Sequence, residues 1–176
     1  MGIGVQICGL NGCGKSTIGR ALAKRADLYF IDNEELYFPK NDADRPYANA
    51  RTREEADMLL MNEVKAHENF VFSAVRGDRA ARLTELYSLV VLVEAPREVR
   101  LRRLRERSFK RFGERMLPGG DLFESEESFY KMAEARPEDY CESYVRSLKC
   151  PLLRLDGTAP VNDNIALIIN TLEGII

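Results

Sequence analysis

The sequence predicts an α/β fold in which a parallel sheet of five strands is covered by helices on both faces. Short apolar runs alternate with helical stretches along the chain, which is the pattern of parallel strands joined by crossover helices. The first apolar run, residues 3–8, leads directly into a glycine-rich loop and then a helix. The chain has 176 residues and no internal repeat or linker, so we expect a single domain over residues 1–176.

The elements follow from apolar periodicity and from turn residues. Strands are predicted at residues 3–8, 28–31, 70–73, 88–93 and 151–155. Helices are predicted at residues 16–26, 51–68, 77–86, 97–112, 126–135, 138–148 and 161–173. Two polar stretches, residues 33–50 and 113–125, contain prolines or glycines and are predicted to be irregular. Ligands of open parallel sheets bind beyond the carboxyl ends of the strands, and the candidate site lies there.

The loop after the first strand fits the phosphate-binding pattern G-x-x-x-x-G-K-[ST]. Its glycines let backbone N–H groups converge on one anion, and the helix that begins near Lys15 adds the positive end of its dipole. Lys15 is predicted to reach the β- and γ-phosphates, and the Ser16 hydroxyl to ligate Mg²⁺. The residues of this loop predicted to bind a triphosphate are Gly9, Asn11, Gly12, Cys13, Gly14, Lys15, Ser16 and Thr17.

Composition limits the classes of partner. Hydrophobic residues make up 45% of the chain, but no apolar run approaches the roughly 20 residues of a membrane-spanning helix. The net charge of -2 gives no general attraction to nucleic acid. The four cysteines lack metal-ligand spacing, and Cys13 lies inside the loop, so reduced thiols are expected. We therefore expect a cytoplasmic protein, either a monomer or a homodimer, that acts on small molecules.

A strongly basic segment follows the fourth strand. It carries nine arginines and lysines between Arg97 and Arg115, opposed by three glutamates. Three interpretations are open: a solvated helix face, a nucleic-acid-binding helix, or a lid that closes arginines over a triphosphate. The position favours the lid, because the segment leaves the same sheet edge as the phosphate-binding loop. Arg103 and Arg107 are four residues apart and share one face of the helix.

With these motifs, the chain resembles the nucleotide and small-metabolite kinases of the P-loop class, such as adenylate, cytidylate, shikimate and gluconate kinases. The resemblance implies a three-layer P-loop NTPase fold with strand order 2-3-1-4-5 and phosphoryl transfer from Mg-ATP. It also implies an acceptor-binding insert at about residues 33–68 and a helical lid at about residues 108–137.

The resemblance assigns roles to the basic segment and to the last strand. Val93-Glu94-Ala95-Pro96 and the helix after it are similar to the passage into the lid of these kinases. It implies that Arg103 lies near the adenine, Arg107 near the phosphates, and Arg136 at the return from the lid. Leu155-Asp156-Gly157-Thr158-Ala159-Pro160 is similar to their adenine-side loop, with Gly157 and Thr158 at the base.

The sequence departs from these kinases where the acceptor should bind. Nucleotide kinases usually have Asp-Gly at the end of the third strand, and this chain has Ser73-Ala74 there, as gluconate kinases do. The Asp-Gly-Asp that gluconate kinases carry after the second strand is Asp32-Asn33-Glu34 here. No single substrate class of the group is therefore matched.

Four residues are candidates for the acceptor side. Asp32 is predicted to orient or deprotonate an acceptor hydroxyl, and it is also suited to cap the helix start that follows it. Arg76 and Arg51 are candidates for binding an anionic acceptor, although Arg51 equally suits the exposed start of a helix. Arg136 is the fourth candidate.

The sequence thus predicts an ATP-dependent phosphotransferase whose acceptor is a metabolite hydroxyl or a nucleoside monophosphate. A sensor that binds ATP without turnover remains an alternative, because Ser73 replaces an aspartate that often supports Mg²⁺. A kinase of nucleic-acid ends is a third possibility. The signature motifs of transporter ATPases and of GTPases are missing from the sequence.

Overall fold

The structure, a computed structural model, describes residues 2–39, 49–79 and 81–175. Its described part contains one parallel sheet with the strand order β2-β3-β1-β4-β5. The strands are β1 (Gly4–Cys8), β2 (Tyr29–Asp32), β3 (Phe70–Ser73), β4 (Leu89–Glu94) and β5 (Leu152–Asp156). The predicted α/β class and the strand order implied by the resemblance are both confirmed.

Helices cover both faces of the sheet. They are α1 (Lys15–Ala26), α2 (Asn33–Tyr37), α3 (Arg53–Ala66), α4 (Arg97–Phe112), α5 (Phe123–Ala135), α6 (Glu142–Ser147) and α7 (Val161–Glu173). One core cluster joins α2, α3 and α6 to the sheet through residues such as Leu36, Leu60 and Val145. The other joins α1 and α7 to the opposite face through Leu22 and Ile168. The fold therefore has three layers.

Three local predictions were wrong. Residues 33–37 form α2 rather than an irregular stretch, because the Asp32 side chain accepts a hydrogen bond from the N–H of Glu34 and caps the helix. The expected helix at 77–86 is a 3-10 helix over Ala81–Leu86. The expected loop at 113–125 contains a 3-10 helix at Gly113–Met116 and the first turn of α5. Residues 40–48 of the predicted irregular stretch lie outside the described residues.

Helices α4 and α5, in the region predicted to form the lid, pack against each other through a small third core. Leu104 of α4 meets Tyr130 and Ala133 of α5, and Met116 and Phe129 pack against them. α4 and α5 therefore form one layer beside the carboxyl edge of the sheet. Within the described ranges, no helix is long and apolar enough to cross a membrane.

Burial within α3 predicts which substitutions destabilise the protein. Leu60 is 0% exposed, whereas Met58 on the same helix is 61% exposed. We expect Leu60→Ala to lower the free energy of unfolding by about 2–5 kcal/mol, because it removes buried apolar atoms and leaves a cavity. Met58→Ala is the matched control and should change it by less than about 0.5 kcal/mol. Urea unfolding followed by circular dichroism measures both, and equal losses would contradict the assigned face of α3.

Candidate functional site

The loop between β1 and α1 has the backbone geometry of a phosphate cradle. Gly12 and Gly14 have φ angles of 83° and 107°, a region that L side chains rarely adopt. Gly14 is also the N-cap of α1, where no side chain caps the first turn and no acidic residue follows. The N–H groups at the start of α1 are therefore left for an anionic ligand, and the helix dipole favours its charge.

Ser16 lies next to Ser73, the residue at the end of β3 where the resemblance led us to expect an aspartate. Their hydroxyl oxygens are 3.2 Å apart, and Ser73 is buried. The carboxyl end of β3 thus presents a hydroxyl, not a carboxylate, to the predicted Mg²⁺ ligand.

A cavity of about 370 Å³ lies between the phosphate-binding loop, the carboxyl ends of β2 and β3, and helices α4 and α5. Its size is in the range of small-molecule sites. Several residues predicted from the sequence line this one cavity: Asn11, Gly12, Lys15, Ser16, Asp32, Arg107 and Arg136. The fold therefore brings phosphate-binding residues and two of the four acceptor candidates, Asp32 and Arg136, to one place.

Asp32 lines the cavity and is held at both carboxylate oxygens. One oxygen accepts the N–H of Glu34 at 3.0 Å, and the other lies 3.3 Å from the guanidinium of Arg20. Asp32 therefore caps α2 and lines the cavity at the same time, and the sequence is compatible with both roles. The catalytic role of Asp32 stays a prediction.

Arg103 joins the phosphate-binding loop to the turn after β5. Its Nη1 donates to the carbonyl of Gly157 at 2.9 Å and lies 3.4 Å from the carbonyl of Cys13. The N–H of Gly157 donates to Glu94 of β4 at 2.7 Å, so the turn is fixed to the sheet. The resemblance placed Arg103, Gly157 and Thr158 on the adenine side, and the structure gathers them beside the loop.

The turn after β5 is also held by its own side chains. The Asp156 carboxylate accepts the hydroxyl of Thr158 at 2.6 Å and its N–H at 2.7 Å. These two bonds from Thr158 hold the pKa of Asp156 below its usual value. The backbone around Gly157 and Thr158 therefore has a defined shape for contacts with a ligand.

The other two predicted lid arginines face the cavity. Arg136 donates a hydrogen bond to the Asn11 side chain of the phosphate-binding loop. Arg107 is about half exposed and lies 3.9 Å from the carboxylate of Glu34. Both guanidinium groups are thus near the place where phosphate charge would be bound.

Arg51 and Arg76 are not among the residues that line the cavity. Arg51 donates to the carbonyls of Leu36 at 2.7 Å and Glu35 at 3.3 Å, at the end of α2. Arg76 pairs with Asp78 at 2.7 Å, and its guanidinium lies over two tyrosine rings. Because neither arginine lines the cavity, the contact of either one with an acceptor stays a prediction.

Sequence reasoning missed two polar residues, Arg79, whose side chain is 9% exposed, and Glu126, which is buried. Arg79 donates to Asp57 at 2.6 Å and to the Tyr37 hydroxyl at 2.5 Å, so it joins α2 to α3. No local motif marks Arg79. Glu126 is buried in α5 and lines the cavity. It shares helical spacing with Tyr130 and Ala133, and that spacing was the available signal.

Comparison with known proteins identifies the family. The family model described as "AAA domain" (AAA_18) matches residues 5–115, from β1 through α4. The chain belongs to this AAA domain family. Membership in this P-loop family implies nucleotide binding, in agreement with the loop geometry.

Similar proteins were found among sequences and solved structures. The Uncharacterized protein YqaC of Bacillus subtilis (strain 168) is 28% identical over 177 residues, which cover 96% of this chain and 97% of that one. A deoxyadenosine kinase from M. mycoides with bound dATP has a TM-score of 0.59 at 19% identity, covering 98% of this chain and 100% of that one.

Two metabolite kinases are also structurally similar. Shikimate kinase from Aquifex aeolicus has a TM-score of 0.58 at 15% identity, covering 98% of this chain and 97% of that one. A gluconokinase from Sinorhizobium meliloti 1021 has a TM-score of 0.53 at 16% identity, covering 97% and 91%. These likenesses confirm a P-loop kinase-like fold.

The contacts of Arg103 with the carbonyls of Gly157 and Cys13 predict that this residue supports nucleotide binding. We expect Arg103→Ala to weaken binding of a non-hydrolysable ATP analogue by about tenfold or more, because charge-assisted hydrogen bonds are lost and the turn is no longer fixed. Arg102→Ala on the same helix is the control, since Arg102 is exposed and pairs only loosely with Glu106. Titration calorimetry compares the two, and equal affinities would contradict the role given to Arg103.

Proposed function

We propose that this AAA domain protein is a kinase that transfers the γ-phosphoryl group of Mg-ATP to a small-molecule acceptor. The observation that carries the proposal is the shared cavity, because Lys15 and Ser16 line it together with Asp32 and side chains of α5. A phosphoryl donor and an acceptor bound there would therefore lie next to each other. The family and the kinase-like fold support the proposal.

Phosphoryl transfer depends mainly on positioning and on neutralising charge. The loop N–H groups and Lys15 would hold the β- and γ-phosphates. Arg107 and Arg136 reach the cavity from α4 and from the end of α5, where they would balance charge on the transferred group. The layer of α4 and α5 would also keep water from the reaction, and that exclusion separates a kinase from an ATPase.

The residues present fit a magnesium ion held mainly by phosphate. Ser16 offers a hydroxyl at the start of α1, and no cluster of three or more His, Cys, Asp or Glu side chains suited to a metal occurs in the described ranges. Mg²⁺ commonly takes few protein ligands and completes its octahedral shell with phosphate oxygens and water. When bound, Mg²⁺ would neutralise phosphate charge.

Asp32 is the group best placed to handle the acceptor hydroxyl. Its carboxylate lines the cavity and is fixed by the N–H of Glu34 and by Arg20. A carboxylate held in this way can orient the hydroxyl and accept its proton.

A second candidate function is an ATP-binding sensor without turnover. The specific observation in its favour is the contact between the Ser16 and Ser73 hydroxyls, since β3 ends without a carboxylate to support Mg²⁺. A kinase and a sensor would both bind ATP, but only a kinase would form ADP when an acceptor is added.

Acceptor-dependent ADP formation from ATP tests the kinase. We expect pooled metabolites to stimulate it, and Lys15→Ala to reduce the stimulated rate by at least about a hundredfold, because a charge aimed at the transferred group is lost. Lys24→Ala is the control, since Lys24 lies exposed at the far end of the same helix. ATP binding without turnover on any pool would favour the sensor.

The role of Asp32 is tested with Asp32→Asn. Asparagine still caps α2, so the fold should be kept while the proton acceptor is lost. We expect kcat to fall by about a hundredfold or more, with little change in ATP affinity. Glu35→Gln is the matched control, because Glu35 also pairs with Arg20, at 2.7 Å. A kcat for Asp32→Asn equal to that of this control would remove Asp32 from the chemistry.

A further inference from the structure

Glu126 is a buried carboxylate without a partner at one oxygen. The residue is 6% exposed, and its Oε2 has no hydrogen-bond partner among the described residues. It lines the same cavity as Lys15 and Asp32. Burying such an oxygen without a hydrogen bond costs free energy, so native proteins rarely leave one unpaired unless it has a use.

The position of Glu126 follows from the packing of α5. Tyr130 and Ala133, four and seven residues later, belong to the small core shared with α4. Burial raises the pKa of Tyr130, the Ser108 hydroxyl lowers it, and the Glu126 carboxylate beside the Tyr130 hydroxyl raises it further. The carboxylate therefore lies close to that hydroxyl. Glu126 is therefore fixed on a packed helix face rather than carried on a mobile arm.

The other acidic groups of the cavity are engaged with the protein. Asp32 contacts Arg20 and the N–H of Glu34, and the Glu34 carboxylate lies 3.9 Å from Arg107. Within the described part of the chain, Glu126 is thus the lining carboxylate with a buried oxygen that accepts no hydrogen bond.

Three cations line the cavity among the described residues, Lys15, Arg107 and Arg136, and the proposed kinase uses all three to balance phosphate charge. Lys15 begins α1, and Arg136 is bonded to Asn11 of the phosphate-binding loop. The two arginines that could have bound an anionic acceptor, Arg51 and Arg76, are occupied outside the lining. Phe129 and Met132, on the same helix as Glu126, add apolar surface to the lining.

We propose that the phosphoryl acceptor is an uncharged ring compound, and that it donates a hydroxyl or amino hydrogen to Glu126. This inference rests on the proposed kinase function and names its substrate class. The carboxylate accepts the hydrogen bond, and the apolar side chains contact the ring. Nucleosides and neutral sugars share this chemistry.

An acceptor with a phosphate or carboxylate group near Glu126 is disfavoured. Its charge would be repelled by a buried carboxylate in a medium of low dielectric constant. Nucleoside monophosphates and sugar acids are therefore expected to be poor acceptors.

The experiment compares matched acceptors with the full-length protein and ATP. Neutral nucleosides are assayed beside their own 5′-monophosphates, and neutral hexoses beside gluconate and shikimate. We expect turnover with a neutral compound and at least tenfold lower kcat/KM with its anionic counterpart. Turnover with the nucleosides or with the hexoses shows which of these two classes of compound is the acceptor.

Variants in α5 test whether Glu126 causes the preference for neutral acceptors. Glu126→Gln should raise the KM of the neutral acceptor by about tenfold, because the amide oxygen accepts a weaker hydrogen bond than the charged carboxylate does, and leave the KM of ATP unchanged. Glu124→Gln is the matched control, because Glu124 is exposed on the same helix. The melting temperature of Glu126→Gln should equal or exceed that of the wild type, since an unpaired buried charge is removed.

The outcomes separate this inference from the kinase proposal. Turnover confined to anionic acceptors, an unchanged acceptor KM in Glu126→Gln, or a melting temperature several degrees lower would overturn the inference and leave the kinase intact. If no acceptor is phosphorylated, the kinase proposal fails. Thermal-shift binding of a neutral compound, weakened in Glu126→Gln, would then still support Glu126 as the contact of a neutral ligand, and the lack of any such binding would overturn that contact as well.

Discussion

The phosphate-binding loop is confined by close backbone contacts with the rest of the carboxyl edge. A Cβ atom on Gly12 would lie 2.4 Å from the carbonyl oxygen of Arg100 in α4, and one on Gly157 would lie 2.2 Å from that of Cys13. These approaches are possible only without side chains. The loop, the start of α4 and the turn after β5 therefore form one packed unit, and Arg103 adds hydrogen bonds across it.

The two halves of the site are built differently. The nucleotide half rests on backbone geometry, since glycine conformations and a helix N-terminus create it. The proposed acceptor half rests on side chains from separate elements that line the cavity, including Asp32 after β2 and Glu126 on α5. Substitutions in the acceptor half leave the loop backbone untouched, so one nucleotide site is compatible with many acceptors.

This difference explains how much could be predicted from the sequence. The loop motif and the bounds of α4 depend on short segments, whereas the strand order was implied by the resemblance, and the structure confirms all three. The positions of Arg51 and Glu126 depend on tertiary packing between distant segments. An arginine that caps a helix and one that binds a substrate have the same local sequence signal, and a buried glutamate resembles its exposed neighbours in an acidic stretch. Helical spacing from Tyr130 was the one clue to Glu126.

The shortest helix of the site is fastened at both ends. Asp32 caps the start of α2, and Arg51 donates to the carbonyls of Glu35 and Leu36 near its end. An isolated helix of five residues would not persist in water, so these bonds and the packing of Leu36 maintain it. The two fastenings come from opposite sides of residues 40–48. Arg51 therefore serves the site through the backbone, because it holds the end of the helix whose start the Asp32 carboxylate caps.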